Sequence, residues 1–181
     1  MPDSALFLDR DGVIIENRPN YVRSWADVAV YPQALRALSR LSHWPGKIVI
    51  VTNQSAVGRG LVAMGDAEAI NQRLVQEIAQ AGGRIDAVFM CPHAPADHCD
   101  CRKPAPGLLI RASQALSIDL QQSIMIGDAL TDVMAARAAG VGVSLMVRTG
   151  RGNRQLRLPI AQEVAPFAVY DTLSEALAQL F

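Results

Sequence analysis

No stretch of this 181-residue sequence approaches the roughly 18 consecutive apolar residues that a membrane-spanning helix needs, although half of its residues are apolar. The first residues carry no basic segment followed by an apolar core, so neither a leader nor an anchor is expected. An excess of one charge is missing too. The 17 basic and 17 acidic residues cancel, which leaves no electrostatic footprint for nucleic acid or an anionic membrane. Aromatic residues make up only 5% of the chain, and cysteine is scarcer still. Cys91, Cys99 and Cys101 all fall within one short segment, which suits a metal site in a reducing compartment better than a disulfide framework. There is no internal repeat, linker, low-complexity tract or coiled-coil heptad pattern, so a cytoplasmic monomer is the default. A chain of this length reads as one domain, residues 1–181, that buries roughly 70% of its unfolded surface.

What the sequence does have is alternation. Short apolar runs at 5–8, 48–52, 87–90, 123–127 and 143–147 read as strands, and Val169 starts a last short one. Between them lie segments of helical periodicity at about 33–42, 66–81, 106–117, 130–139 and 173–180, with Gly82-Gly83 and Gly140 as stop signals. This order predicts an α/β fold with a doubly wound, mostly parallel, Rossmann-like sheet, and the length leaves no room for a large cap domain. Residues 13–31 and 91–105 break the alternation. Long excursions at the carboxyl ends of strands are usually functional, and both are expected to overhang the active site.

The first strand ends in Asp9-Arg10-Asp11-Gly12. Residues i and i+2 of an extended chain point the same way, so Asp9 and Asp11 can converge on one cation or one reacting atom. An ordinary turn is the plainer alternative. A calcium loop fails, because Val13, Ile14 and Asn20 occupy positions that need oxygen ligands and a glycine. At the second strand end, Thr52, Asn53, Gln54 and Ser55 could bind phosphate oxygens without adding charge, or could simply cap a helix. The fourth ends in Gly127-Asp128, with Asp132 one turn into a helix. Asp128 suits a Mg²⁺ site; Asp132 is a further ligand, a dipole partner or a brace. Arg102-Lys103-Pro104 follows the third strand, where a lysine beside an anionic nucleophile would keep it ionised and neutralise phosphoryl oxygens.

Taken together, DRDG at 9–12, TNQS at 52–55, RKP at 102–104 and GDALTD at 127–132 resemble the haloacid dehalogenase superfamily of phosphohydrolases, over residues 5 to about 150. The resemblance implies that Asp9 is the nucleophile that forms an aspartyl phosphate and that Asp11 is the proton donor and acceptor. It further implies Mg²⁺ held by the Asp9 side chain, the Asp11 carbonyl and Asp128, with Thr52 and Lys103 on the transferring phosphoryl group.

Cys91, His93, Cys99 and Cys101 supply a complete tetrahedral set for structural Zn²⁺ in a loop at about 91–101, with His98 as a rival imidazole. With this loop the chain is similar to the subgroup of heptose-bisphosphate and histidinol-phosphate phosphatases. NYV at 20–22, GRG at 58–60, RKPAPGLL at 102–109 and LMVRTGRG at 145–152 lean toward the heptose branch. That branch implies a small phosphorylated sugar, a heptose 1,7-bisphosphate cleaved at C7 in heptose nucleotide biosynthesis. Histidinol phosphate is the alternative substrate, and a non-catalytic phosphate-binding module the alternative of another class. By resemblance the pocket wall is Asn17, Arg18, Asn20, Tyr21, Asn53, Gln54 and Ser55, with Arg102 the main recognition residue. Two departures stand out: the zinc loop is compact, and Ala129 occupies a position where such enzymes often carry a basic residue. Arg148, Arg151, Arg154 and Arg157, at three-residue spacing, read as a solvated face rather than a phosphate clamp.

Overall fold

The computed structural model describes residues 4–181. Its centre is a six-stranded sheet in the order β3-β2-β1-β4-β5-β6, in which every pairing is parallel. The strands are β1 (Ala5–Leu8), β2 (Lys47–Asn53), β3 (Ala87–Cys91), β4 (Ile124–Gly127), β5 (Val143–Val147) and β6 (Ala168–Tyr170). The longer helices are α1 (Pro32–Arg40), α3 (Met64–Gln80), α4 (Gly107–Leu116), α5 (Leu130–Ala139) and α8 (Leu173–Leu180). Each lies within two residues of its predicted bounds. Three short helices, α2 (Ser55–Gly58), α6 (Gly152–Gln155) and α7 (Ile160–Val164), were not predicted, since none is long enough to show a 3.6-residue period. No helix among the described residues is long and apolar enough to cross a membrane.

The two-residue period of β1 sorts its side chains between two cores. Leu6 and Leu8 join Ile48, Ile50 and Ile126 under α1, α3 and α8, where Leu38, Leu74 and Leu177 complete one layer. Ala5 and Phe7 face the other way and join Val49, Val51 and Met125 under α4 and α5. A strand buried on both faces reads as a continuous apolar run, which is why β1, β2 and β4 were legible as such.

The order reverses at β1, whose neighbours are β2 and β4, with Leu8 registered against both Ile50 and Ile126. This is the switch point at which doubly wound sheets form their ligand crevice. The residues that follow β1 and β4 are therefore brought side by side. Gly82 (φ +83°) and Gly140 (φ +82°) close α3 and α5 in the left-handed conformation that a Cβ disfavours.

Leu74 is fully buried between α3 and the sheet. Leu74→Ala should lower the unfolding free energy by about 2–5 kcal/mol, read by urea denaturation. A loss under about 1 kcal/mol would contradict this packing.

Candidate active site

The Asp9 N–H continues the β1–β4 ladder by donating to the Ile126 carbonyl at 3.0 Å, which fixes where its carboxylate stands. Against that carboxylate lies Lys103. Its Nζ is 2.9 Å from Asp9 Oδ1 and 2.7 Å from Asp132 Oδ1, and it donates to the Val51 carbonyl at 2.7 Å. All three ammonium hydrogens thus have acceptors, as a buried charge requires. Burial pulls the Lys103 pKa down, but Asp132 and Asp9 outweigh it, and the net shift is upward. Burial also raises Asp9 from 3.8 to about 6, against the pull of Lys103 and with the help of Asp132 and Asp11.

Asp11 is the more open carboxylate, with its side chain 18% exposed toward the cleft. Gln54 Nε2 donates to Asp11 Oδ2 and to Thr52 Oγ1, both at 2.8 Å. Asn53 lines the cleft, as expected of it, and has a second task. Its Oδ1 accepts the Lys103 N–H and its Nδ2 donates to the Lys103 carbonyl, each at 3.0 Å, so that one amide clamps the lysine's main chain.

Asp9, Asp128 and Asp132 each bring a carboxylate oxygen within 4.8 Å of the others. Such hard oxygen donors fit Mg²⁺. Backbone closes tightly around Asp128: a Cβ at Gly12 (φ +89°) would stand 2.1 Å from its Oδ2, and one at Gly150 (φ +59°) 2.4 Å from it. Only residues without a Cβ permit this cradle. Asp132 is committed elsewhere, since its second oxygen accepts the Ala129 N–H at 3.0 Å while its first holds Lys103. It is a brace at the start of α5.

The arginine series is where the sequence reading needs correction. Arg151 is 43% exposed yet committed to the site: its main-chain N–H donates to Asp128 Oδ2 at 2.7 Å, and its NH2 lies 2.9 Å from Asp128 Oδ1. Arg151 and Arg154 line the cleft, while Arg148 pairs with Asp171 on the exterior. The three-residue spacing misled because residues 148–157 form a loop and a single helical turn rather than a long helix with one outward face.

In the cysteine loop, Cys101 Sγ is 3.0 Å from Cys91 Sγ and 3.6 Å from Cys99 Sγ, and His93 Nδ1 lies 3.3 Å from Cys101 Sγ. A tetrahedral zinc with Zn–S bonds of about 2.3 Å has sulfur–sulfur edges of about 3.8 Å, so the set is close to the right size. His93 belongs to this cluster and His98 does not. The loop is tied to its surroundings: the Gln54 N–H donates to the Cys91 carbonyl at 2.7 Å, and the Gly107 N–H to the Asp100 carbonyl at 3.0 Å.

These groups meet in a cleft of about 730 Å³ walled by Asn17, Arg18, Tyr21, Ser55, Arg102 and Arg151. Both long excursions overhang it, as predicted. Asn20 does not line it, and Thr52 lies fully buried behind Gln54. Arg10, buried to 1%, was missed altogether; a charge between two aspartates gives no sign in the sequence that it folds inward.

A hydrolase-like family model, described as HAD-hydrolase-like, matches residues 100–176. The chain is 35% identical to the D-glycero-beta-D-manno-heptose-1,7-bisphosphate 7-phosphatase of Pseudomonas aeruginosa, over 99% of this chain and 100% of that protein. The chain belongs to the haloacid dehalogenase-like hydrolase family. It is also 41% identical to the corresponding alpha-heptose phosphatase of Mycobacterium tuberculosis, over 81% of this chain and 79% of that one. Among solved structures it matches the D,D-heptose 1,7-bisphosphate phosphatase of B. bronchiseptica complexed with magnesium and phosphate, with a TM-score of 0.89 and 36% identity, covering 98% and 97% of the two chains.

Within this haloacid dehalogenase-like site, the raised Asp9 has a measurable consequence. The unfolded chain loses this proton near pH 3.8 and the native protein near 6, so the contribution is complete below the first value and lost as pH rises through the second. In Mg²⁺-free buffer, the stability difference between wild type and Asp9→Asn should fall across that interval in urea melts. A flat or rising difference would contradict the assignment.

Proposed function

We propose that this protein is a Mg²⁺-dependent phosphatase that removes the C7 phosphate of D-glycero-D-manno-heptose 1,7-bisphosphate through an aspartyl phosphate on Asp9. The observation that carries the reading is the convergence of Asp9, Asp11, Lys103 and Asp128 at the sheet's switch point, beneath a cleft lined by Arg18, Arg102, Arg151 and Arg154. One phosphate needs the buried charge of Lys103; a second needs the cations of the rim.

The Asp9 carboxylate attacks phosphorus, and the bond from phosphorus to the sugar oxygen breaks. Asp11 delivers a proton to that oxygen. It then takes a proton from the water that attacks the Asp9-bound phosphoryl group, which releases inorganic phosphate and restores the Asp9 carboxylate. Lys103 offsets the repulsion between the nucleophile and the phosphate dianion, and its raised pKa keeps it charged. Mg²⁺, held by the Asp9 side chain, the Asp11 carbonyl and Asp128, would supply further positive charge for the phosphoryl oxygens. Asn17, Tyr21 and Ser55 serve as the polar wall for the sugar, and Arg102 leads recognition of the distant phosphate.

Zn²⁺ at Cys91, His93, Cys99 and Cys101 is structural in this reading, because four protein donors leave no position for water. Burial pushes the Cys91 thiol up, whereas Cys99, despite its own burial penalty, is lowered to about 7 by the N–H and S–H groups around it. Binding the ion would settle these thiols as thiolates and fix the segment that leads into Lys103.

Phosphate release should be compared across both anomers of the heptose bisphosphate, histidinol phosphate and simple sugar monophosphates. A heptose bisphosphate should lead by at least about tenfold in kcat/KM, which corresponds to about 1.4 kcal/mol of transition-state discrimination. Preference for histidinol phosphate would overturn the substrate, and no release from any of them would favour a phosphate-binding module. Asp9→Asn should lower turnover by about three orders of magnitude or more. Stripping zinc with a strong chelator and then restoring saturating Mg²⁺ should abolish most activity, and adding zinc back should recover it. Full activity in protein verified zinc-free would refute the structural role.

A further inference from the structure

Arg10 has no part in the chemistry above, yet it is a fully charged side chain buried to 1% next to the reacting groups. Its guanidinium is spent on two partners. Nε donates to Asp11 Oδ2 at 3.0 Å, and NH2 lies 3.0 Å from Oδ2 and donates to Oδ1 at 3.2 Å, a planar grip across one carboxylate that favours Oδ2. NH1 donates to Asn71 Oδ1 at 2.7 Å, and Asn71 is itself buried to 6% on α3. The same amide donates from Nδ2 to the Met90 sulfur at 3.5 Å, which fixes which way it faces. A chain of contacts therefore runs from α3 and β3, outside the cleft, to the most exposed carboxylate within it.

We infer that Arg10, anchored by Asn71, is a positioning residue that aims Asp11 for proton transfer and selects Oδ1 as the oxygen that carries the proton. The selection follows from unequal loading. Asp11 Oδ2 accepts from both Arg10 Nε and Gln54 Nε2, at 3.0 and 2.8 Å, whereas Oδ1 accepts one longer bond of 3.2 Å. An oxygen with two short donors has no room for a proton as well; the other is left to exchange one with substrate or water. Only a planar fork can hold both oxygens at once, so a lysine here would keep the charge and lose the aim. The inference rests on Asp11 being the proton shuttle.

The test uses a leaving group's need for a proton. Single-turnover release should be measured with enzyme in excess, from a sugar phosphate, whose alkoxide must be protonated, and from 2,4-dinitrophenyl phosphate, whose phenolate need not be. Asp11→Asn sets the reference pattern: a loss of about 10²-fold or more on the sugar phosphate and a small one on the aryl ester. Arg10→Lys should reproduce that pattern at about 10²-fold, and Asn71→Ala should do so at about tenfold, each with KM within about twofold and aryl release within about threefold of wild type. Should Arg10→Lys fail to fold, Asn71→Ala decides alone. If Asp11→Asn is selective while these variants slow both substrates equally, or neither, the positioning role is wrong. If Asp11→Asn is itself unselective, the shuttle assignment falls and the positioning role falls with it.

Discussion

The ammonium of Lys103 is held 2.9 Å from Asp9 and 2.7 Å from Asp132 with the residue only 3% exposed, and much of the surrounding structure serves to keep it there. A charge at that depth costs several kcal/mol unless paired and fully hydrogen-bonded. Lys103 does not sit on the sheet, which would place it automatically, but on a loop, the kind of segment that varies and moves most. Three devices compensate. The Asn53 amide grips both main-chain polar groups of Lys103; Asp132 reaches back from the first turn of α5; and the cysteine cluster gathers the chain two residues upstream. Strand β2 supplies Asn53 and the Val51 carbonyl, strand β4 leads into α5, and strand β3 leads into the cysteines. The lysine thus depends on β2, β3 and β4, and through Asp9 on β1 as well.

The same constraint explains how two neighbouring aspartates come to differ. Asp9 is sealed between Lys103 and the acid pair at the end of β4, and burial raises its pKa while it keeps its contact with the lysine at the floor of the cleft. Asp11, two residues on, escapes that enclosure because the chain turns at Gly12, whose positive φ also lets the backbone close on Asp128. One environment suits a nucleophile that must be desolvated, the other a group that must exchange protons with solvent. Their separation is a product of one glycine and one switch in strand order.

Most of this framework was legible because it rests on short-range patterns. Apolar runs gave the strands, helical periodicity with glycine stop signals gave the long helices, and carboxylates at strand ends gave Asp9, Asp11 and Asp128. What stayed hidden depends on contacts between distant parts of the chain. Asn53 looked like a phosphate ligand, since nothing in TNQS reveals that its amide meets a main chain 50 residues away. Arg10 and Arg151 were unreadable for a related reason: both are cations whose partners, Asn71 and Asp128, are set by tertiary packing. Asn20 was carried by the motif around it, but its side chain stands outside the cleft while its carbonyl accepts from Arg23. Sequence pattern located the motif correctly and could not say which members of it face inward.

Arg151 reaches Asp128 from the loop after β5 and brings a cation to the end of β4, while Ala129 lies buried at the N-cap of α5. That local charge matters because the chain as a whole is neutral and provides no long-range field to attract a dianion. Attraction has to come from the rim itself, from Arg18, Arg102, Arg151 and Arg154, acting over distances comparable to the screening length of about 8 Å at physiological salt. A substrate with phosphates at both ends meets such a site in two places, the buried lysine below and the arginine rim above. The chemistry is then fixed by the sheet, while the choice of substrate rests with loops that can change without disturbing it.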